Sequence, residues 1–362
     1  MEEIKMKIKF AVYGSGWRSE FFLRVANALP ERFEVTGLIT RSAEKAKKLS
    51  SRFGVKCYNT AEELLQTEKP MFMVVSVAGH ANAEVSLNIL KRGIPVLLET
   101  PPAGGMASLL KFYEEIPSNA KIQIAEQYPL HPMHMARLAF LKTGKLGTVQ
   151  HAQISFSHGY HGVALIRKYL GIGFENAEIT AVKFPVSVVD GFTREGEPTK
   201  ETILKKSQTI AVLNFGDKTG LLNFEIDQHR SWVRSLIIQV KGTHGELFNS
   251  KIKYLHDFNV PIESKFVRKD LGQEDNFEGF DLKGIIGDGK WLYRNPYQSS
   301  RLVDDEIAVA ECLVKMAEYL RDGKAFYGLS EASQDQYLSI LIDEAVASGK
   351  AVHSKTQKWG YF

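Results

Sequence analysis

The sequence predicts a doubly wound α/β domain followed by an α+β domain built on an open-faced, mainly antiparallel sheet. Three observations carry this reading. Strand and helix signals alternate regularly over the first 125 residues. Most of the strands there are apolar throughout, as in a parallel sheet covered on both faces. Past about residue 150 the pattern changes to longer strand-like segments joined by turns.

In the first region, Ile8 to Tyr13 reads as a strand ending in glycines, and Trp17 to Leu29 carries helical spacing up to Pro30. Phe33 to Ile39 is a strand, and Ser42 caps a helix that runs to Phe53 and stops at Gly54. Val55 to Tyr58 is a short strand, and Thr60 caps Ala61 to Leu65. Met71 to Val77, Pro95 to Leu98 and Lys121 to Ala125 are further strands, separated by helices over Ala81 to Lys91 and Ala107 to Glu115. In the second region, Gln150 to Ser157 alternates and Gly162 to Leu170 reads as a short helix. Strands follow at Ile179 to Val189, Gln208 to Phe215, Gly220 to Asp227 and Ser235 to Lys241. Residues 216–220 look like a hairpin turn, 262–300 reads as a polar, Gly-rich irregular excursion, and two helices close the chain over Asp304 to Asp322 and Ser330 to Ser348. The expected domains are 1–126 and 127–362, with the last helices free to pack back on the first.

Composition excludes several classes. With 44% hydrophobic and 24% charged residues the chain has the makings of a globular core rather than a disordered or repetitive one. The net charge of +4 is small and the basic residues are scattered, which speaks against a nucleic-acid partner. Cys57 and Cys312 are far apart and in no CxxC pair, so neither a disulfide framework nor a structural zinc site is expected. No run approaches the roughly 18 apolar residues of a membrane span, and the four-residue run Phe10 to Tyr13 is too short for a signal-peptide core. A cytoplasmic location without membrane attachment is the expectation.

Gly14-Ser15-Gly16-Trp17-Arg18-Ser19 lies between the first strand and the first helix. The first glycine permits a tight turn, the second lets the backbone approach a pyrophosphate, and the helix N-terminus offers free N–H groups. At the first βα turn of a βαβ series, this pattern identifies a Rossmann domain holding a nicotinamide dinucleotide. The second strand ends at Thr40-Arg41-Ser42, where an NAD-selective site would usually place a carboxylate for the ribose hydroxyls. Arg41 and the two hydroxyls suit a 2′-phosphate instead, so NADP is preferred over NAD. Ser76 and Val77, at the end of the fourth strand, are also assigned to the cofactor.

The chain resembles the glucose–fructose oxidoreductase / inositol dehydrogenase / MocA-like (Gfo/Idh/MocA) family over nearly its whole length. The resemblance rests on the GxG turn, on Ser42-Ala43-Glu44-Lys45-Ala46, and on the helix from Glu84 into Gly93. It also rests on Val96-Leu97-Leu98-Glu99-Thr100-Pro101-Pro102-Ala103, Lys142-Thr143-Gly144-Lys145-Leu146-Gly147 and Gly242-Thr243-His244-Gly245. It implies hydride transfer between a nicotinamide and a sugar, polyol or related carbonyl. It also implies a homodimer or homotetramer paired through the open sheet face, although 262–300 could cover that face within one chain. The family's Glu-Lys-Pro is here Glu99, Thr100 and Pro101, and threonine cannot shuttle a proton near neutral pH. The family's Asp-x-x-x-His is here Ser157 to His161, with serine in place of aspartate, and its Asn and His after the fourth strand are replaced at Gly79 and Asn82.

These departures move the chemistry elsewhere. His158, Tyr160 and His161 place three titratable groups where the resembled family faces its nicotinamide, with His161 as the expected acid–base group. Glu99, Thr100, Pro101 and Gln127, at strand carboxyl ends, are assigned to the cofactor, and Tyr128, Ser157, Arg167 and Arg230 to the substrate. His131 and His134 lack the ligands of a recognisable metal set, so no metal is expected, and His131 is read as the cap of the helix running to Leu141. Two other readings stay open: an enzyme that retains NAD(P) through a net hydrolysis, elimination or epimerisation, and a regulator that binds a dinucleotide or sugar without turnover.

Overall fold

A computed structural model describes residues 7–272 and 279–361. It divides the chain into two compact units. The first gathers the chain through His134 with Lys269–Gly284 and Arg294–Ser333; the second takes Met135–Arg268, Ile285–Tyr293 and the chain from Gln334 onward.

The first unit opens with β1 (Ile8–Tyr13), α1 (Trp17–Ala28), β2 (Phe33–Ile39), α2 (Ala43–Phe53), β3 (Cys57–Tyr58) and α3 (Ala61–Thr67). It continues with β4 (Phe72–Val75), α4 (Asn82–Leu90), β5 (Val96–Leu98), α5 (Met106–Glu115) and β6 (Ile122–Ile124). The strands form one parallel sheet in the order β3-β2-β1-β4-β5-β6, the doubly wound arrangement whose ligands sit at the strands' carboxyl ends. The strands are continuous apolar runs because both faces are covered: Phe10, Val12, Leu38, Val74 and Leu97 are fully enclosed. Local chemistry sets the boundaries. Ser42 and Thr60 accept from Lys45 N and Glu63 N at the helix starts, and Gly54 takes the left-handed C-cap of α2.

The second unit carries α6 (Pro132–Leu141), β7 (Val149–Ser155), α7 (Gly159–Leu170), β8 (Glu178–Val189), β9 (Ile203–Asn214) and β10 (Thr219–Glu225). Next come β11 (Ile237–Gly242), β12 (Gly245–Phe248), β13 (Lys251–Asp257) and β14 (Val260–Lys265). With β18 (Val352–His353) these strands form a nine-stranded sheet in the order β14-β13-β12-β11-β7-β10-β9-β8-β18. The β7–β10 pair is parallel, and its neighbours β7–β11 and β9–β10 are antiparallel. One face is the core, with Ile154, Leu213, Leu222 and Val240 buried. The other leaves Val182, Phe184 and Val212 exposed.

Two expectations are corrected. The 262–300 segment is not an irregular excursion. Its described part completes β14 and forms a second sheet of β15 (Val267–Leu271), β16 (Asp281–Gly287) and β17 (Lys290–Arg294), while 273–278 lie outside the described residues. Its polar residues hid strands of which β14 and β15 have no buried position and β17 has one, and its glycines mark turns such as Gly289 at φ 72°. Helix α7 starts at Gly159 rather than at 162. Glycine is required there by packing, since a Cβ would lie 2.7 Å from Ser339 Oγ. Of the closing helices, α8 (Asp304–Asp322) belongs to the first unit, while α9 (Leu329–Ser348) lies mostly in the second. Among the described residues, no helix is long and apolar enough to cross a membrane.

Arg167, expected at the substrate, is instead a structural residue of the second unit. Its guanidinium is enclosed and donates to Asp335 Oδ1 at 2.5 Å and to Gly173 O, so it serves packing between α7 and α9. Removing one partner leaves an uncompensated buried charge. Asp335→Ala is therefore expected to lower the unfolding free energy by about 3–5 kcal/mol. Urea denaturation checks this, and a loss below about 1 kcal/mol would mean the pair is not a structural anchor.

Candidate cofactor and acid–base sites

In the first unit, the turn after β1 builds a cavity at the carboxyl ends of β1, β2 and β4. Gly14 sits at φ 126°, and a Cβ there would lie 2.0 Å from Ser76 O, so only glycine allows β1 to approach the end of β4. Gly16 meets nothing within 4 Å of its would-be Cβ, leaving its backbone open to a bulky group such as a pyrophosphate. The cavity encloses about 420 Å3 and is lined by Gly14, Ser15, Gly16, Trp17, Arg18, Thr40, Arg41, Ser76 and Val77, all expected at the cofactor. Tyr13, Ile39, Lys45 and Ala78 join them. Ser42, Glu99, Thr100, Pro101 and Gln127 are not in this wall.

Ser42 is the N-cap of α2. Glu99 is buried and accepts from Arg18 Nε at 2.7 Å, while its other oxygen accepts the Thr100 amide at 3.3 Å. Asn82, fully enclosed, donates its amide to the carbonyls on both sides of Thr100, Glu99 O at 3.0 Å and Pro101 O at 2.8 Å. The threonine turn is thus held at its amide and at both flanking carbonyls. Asn82 stood out in the sequence only as a departure from the family pattern, and nothing local signalled this clasp. Gln127 is buried at the end of β6, and the Tyr128 amide donates to Glu126 Oε1 while its ring stacks on His131. His131 ends the preceding 3₁₀ turn, directly before Pro132 at the start of α6, and pairs with Asp305 at 3.0 Å. Among the described residues no group of three or more His, Cys, Asp or Glu is disposed to hold a metal.

The second unit gathers a different set. The first turn of α7 brings the His158 and His161 rings to 5.0 Å, with Tyr160 edge-on to His161 at 5.2 Å. Gly162 permits this, because a Cβ there would lie 2.4 Å from a Leu222 methyl of β10. Phe224 lies beside His158 and stacks on His229, which sits in a 3₁₀ turn with Arg230. Arg230 donates to Asp227 Oδ1 at 3.3 Å. Tyr160 and Ser157 are buried, whereas His161 is half-buried and His158 is exposed. The fold makes His229 the third imidazole of a cluster with His158 and His161.

Residues 8–125 match the family model described as "Oxidoreductase family, NAD-binding Rossmann fold", GFO_IDH_MocA. Over that span the chain is similar to the Gfo/Idh/MocA oxidoreductase family. No curated protein matches the sequence. Among solved structures, an NAD-binding oxidoreductase from Klebsiella pneumoniae superposes with a TM-score of 0.69 at 14% identity, covering 97% of this chain and 100% of that one. A myo-inositol dehydrogenase from Corynebacterium glutamicum gives 0.66 at 17% identity, with coverage of 97% and 100%. A levoglucosan dehydrogenase in complex with NADH and levoglucosan gives 0.68 at 12% identity, with coverage of 96% and 99%. At these identities the structures establish a shared fold over nearly the whole chain.

Partial desolvation, followed by the charges of His161 and His229, lowers the His158 pKa from 6.5 to about 4. The unfolded chain therefore binds more protons than the folded one between those values, and stability falls as pH is lowered from about 6.5 toward 4. His158→Gln is expected to flatten that part of the stability profile, measured by urea unfolding across the window. An unchanged slope would show that His158 titrates normally.

Proposed function

We propose that the protein is an NADP-preferring oxidoreductase that acts on a sugar, polyol or related carbonyl, with His161 as its acid–base group. The observation that carries this reading is the glycine-turn cavity of the first unit, whose wall contains Arg41 and no carboxylate. NADP fits these residues. The glycine turn and the start of α1 would take the pyrophosphate, and Arg41 the 2′-phosphate. When bound, NADP supplies the acceptor or donor of a hydride.

The chain's own groups then handle the proton. Thr100, held by Glu99 and Asn82, can donate one hydrogen bond but cannot relay a proton near neutral pH. His161 is half-buried in a cluster of imidazoles and is the group we assign to take the hydroxyl proton during alcohol oxidation and return it during reduction. His158, held neutral by its lowered pKa, is suited to accept a hydrogen bond rather than carry charge. Tyr128 and Arg230 are retained as proposed substrate contacts; Tyr160 and Ser157, being buried, would act by supporting the first turn of α7.

The test is turnover of NADPH and NADH against a panel of sugars, polyols and their keto forms. His161→Asn is expected to lower kcat by about 10²–10⁴-fold while NADPH still binds. Unchanged kcat in that variant would remove His161 from the chemistry. The absence of lysine at Thr100 favours one second reading, an enzyme that retains its dinucleotide through a net non-redox reaction. Cofactor that co-purifies, and is reduced transiently without external consumption, would favour it.

We further propose that a second copy of the chain covers the open sheet face, giving a dimer or tetramer. Val182 and Phe184 on β8, Ile210 and Val212 on β9, and Leu221 on β10 share that face by their pairing register. Contiguous exposed apolar surface of this kind marks an association site. Sedimentation is expected to give a mass above that of one chain, reduced by Val212→Glu; a monomeric unaltered protein would refute it.

A further inference from the structure

We infer that Lys206, Arg230 and Arg194 form an oxyanion seat in the second unit, and that the substrate is a sugar carrying a carboxylate or a phosphate. Assigning that anion to the substrate rests on the oxidoreductase reading; the seat itself does not. Three segments build it: the start of β9, the 3₁₀ turn after β10, and residues 190–202 between β8 and β9. Gly191 brings the last two together, since a Cβ there would lie 2.1 Å from Arg230 O. Beside this contact the rings of Phe192 and Trp232, both exposed, stand 6.4 Å apart. The residue before Arg230 is His229, which reaches the His158 imidazole through Phe224.

Lys206 carries the inference. Its side chain is only 12% exposed, yet among the described residues it donates no hydrogen bond, and its carboxylate partner, Asp227 Oδ2, stands 3.7 Å away. Arg230 Nη1 meanwhile engages the other oxygen of Asp227 at 3.3 Å. A largely buried ammonium and a 22%-exposed guanidinium thus divide one carboxylate that is itself 41% exposed. Glu225, two residues back along the chain, is balanced by Arg234 at 2.8 Å. Arg194 adds a third cation. Burial, and then the charge of Arg230, hold its guanidinium below the usual value, so the two lie close enough to repel. Glu195 beside it is exposed, where water screens its charge. Cations withdrawn from water need both counter-charge and hydrogen bonds, and an oxyanion between Lys206 and Arg230 supplies both. The ammonium acts on it as a point charge and the guanidinium as a two-pronged donor. Phe192 and Trp232 offer apolar ring surface to the carbon side of the sugar.

The experiment is isothermal titration of the full-length protein with inorganic phosphate, gluconate, glucose 6-phosphate and glucose at fixed ionic strength. At least one charged sugar is expected to bind about 10-fold or more tightly than glucose, and gluconate against glucose 6-phosphate separates carboxylate from phosphate. Lys206→Met and Arg230→Gln are each expected to weaken that sugar by about 10-fold or more and glucose by less than about 2-fold, as loss of one charge-assisted contact predicts. Lys206→Arg should retain binding, and Lys205→Met, at the exposed lysine next to it, should change nothing. Arg194→Gln alters an exposed side chain without disturbing the core and should weaken binding by about 3-fold. If no charged probe binds, if glucose binds as tightly as both charged sugars, or if Lys206→Met leaves their binding unchanged, the inference is wrong while the oxidoreductase reading stands. If Lys206→Met changes only the sedimentation of the protein, a second copy supplies the counter-charge and the inference is again wrong. If a charged sugar binds as expected but no sugar of the panel supports turnover of NADPH or NADH, the seat stands, and the oxidoreductase reading fails together with the claim on its substrate.

Discussion

The first unit depends on one close approach, that of the Gly14 backbone to the carbonyl of Ser76. With room for a hydrogen but not for a methyl group, β1 can end directly beside β4. The contact is tied on several sides: the Gly14 amide donates to Ile39 O at 3.0 Å, the Ser76 amide to Tyr13 O at 2.8 Å, and Ser19 Oγ to Ser76 O at 3.3 Å. The ends of three strands and the start of α1 are thereby fixed together. A helix N-terminus aimed at a phosphate is useful only if its direction does not vary, and this cluster of short bonds fixes it. Ser19 shows why the third small residue of the motif need not be glycine, since its hydroxyl adds a bond where glycine would only make room.

The threonine turn shows a different kind of economy. Glu99 and Asn82 keep the backbone around Thr100 in a defined path, although the side chain most often found at that place in the family is absent. Backbone geometry and side-chain chemistry have separated here. The carboxylate that holds the Thr100 amide also holds Arg18, so a buried ion pair underlies the turn. In the second unit, by contrast, imidazoles gather at the first turn of α7, which packs on β10 through Gly162.

Much of the first unit was legible in the sequence because each strand is a short apolar run and the helices α2 and α3 carry their own caps, at Ser42, Thr60 and Gly54. The second unit's long strands were legible from alternation. What was not legible came from contacts distant in sequence. Arg167 sits three residues from the end of an amphipathic helix and reads as a substrate contact, yet Asp335, 168 residues away, draws it inside. His229 comes beside His158 with Phe224 packed against both. The polar character of 262–300 concealed strands because a sheet with one solvated face needs few apolar residues.

One consequence concerns the order in which the chain is made. The β6 edge of the first sheet is closed by a late segment: the Ile124 amide donates to Tyr327 O at 2.9 Å, and Gln123 Oε1 accepts from the amides of Phe326 and Tyr327. Helix α8, which packs against α1 and pairs Glu306 with Arg24 at 2.7 Å, also comes late. At roughly 5–20 residues per second, a ribosome needs on the order of 10–40 s between making that edge and making its cover. During that interval the dinucleotide-binding half carries an open strand edge and an uncovered helix face, the features that invite wrong pairing. The unit that is first in sequence is therefore among the last to be completed, its sheet edge covered only once residues 326–327 have been made.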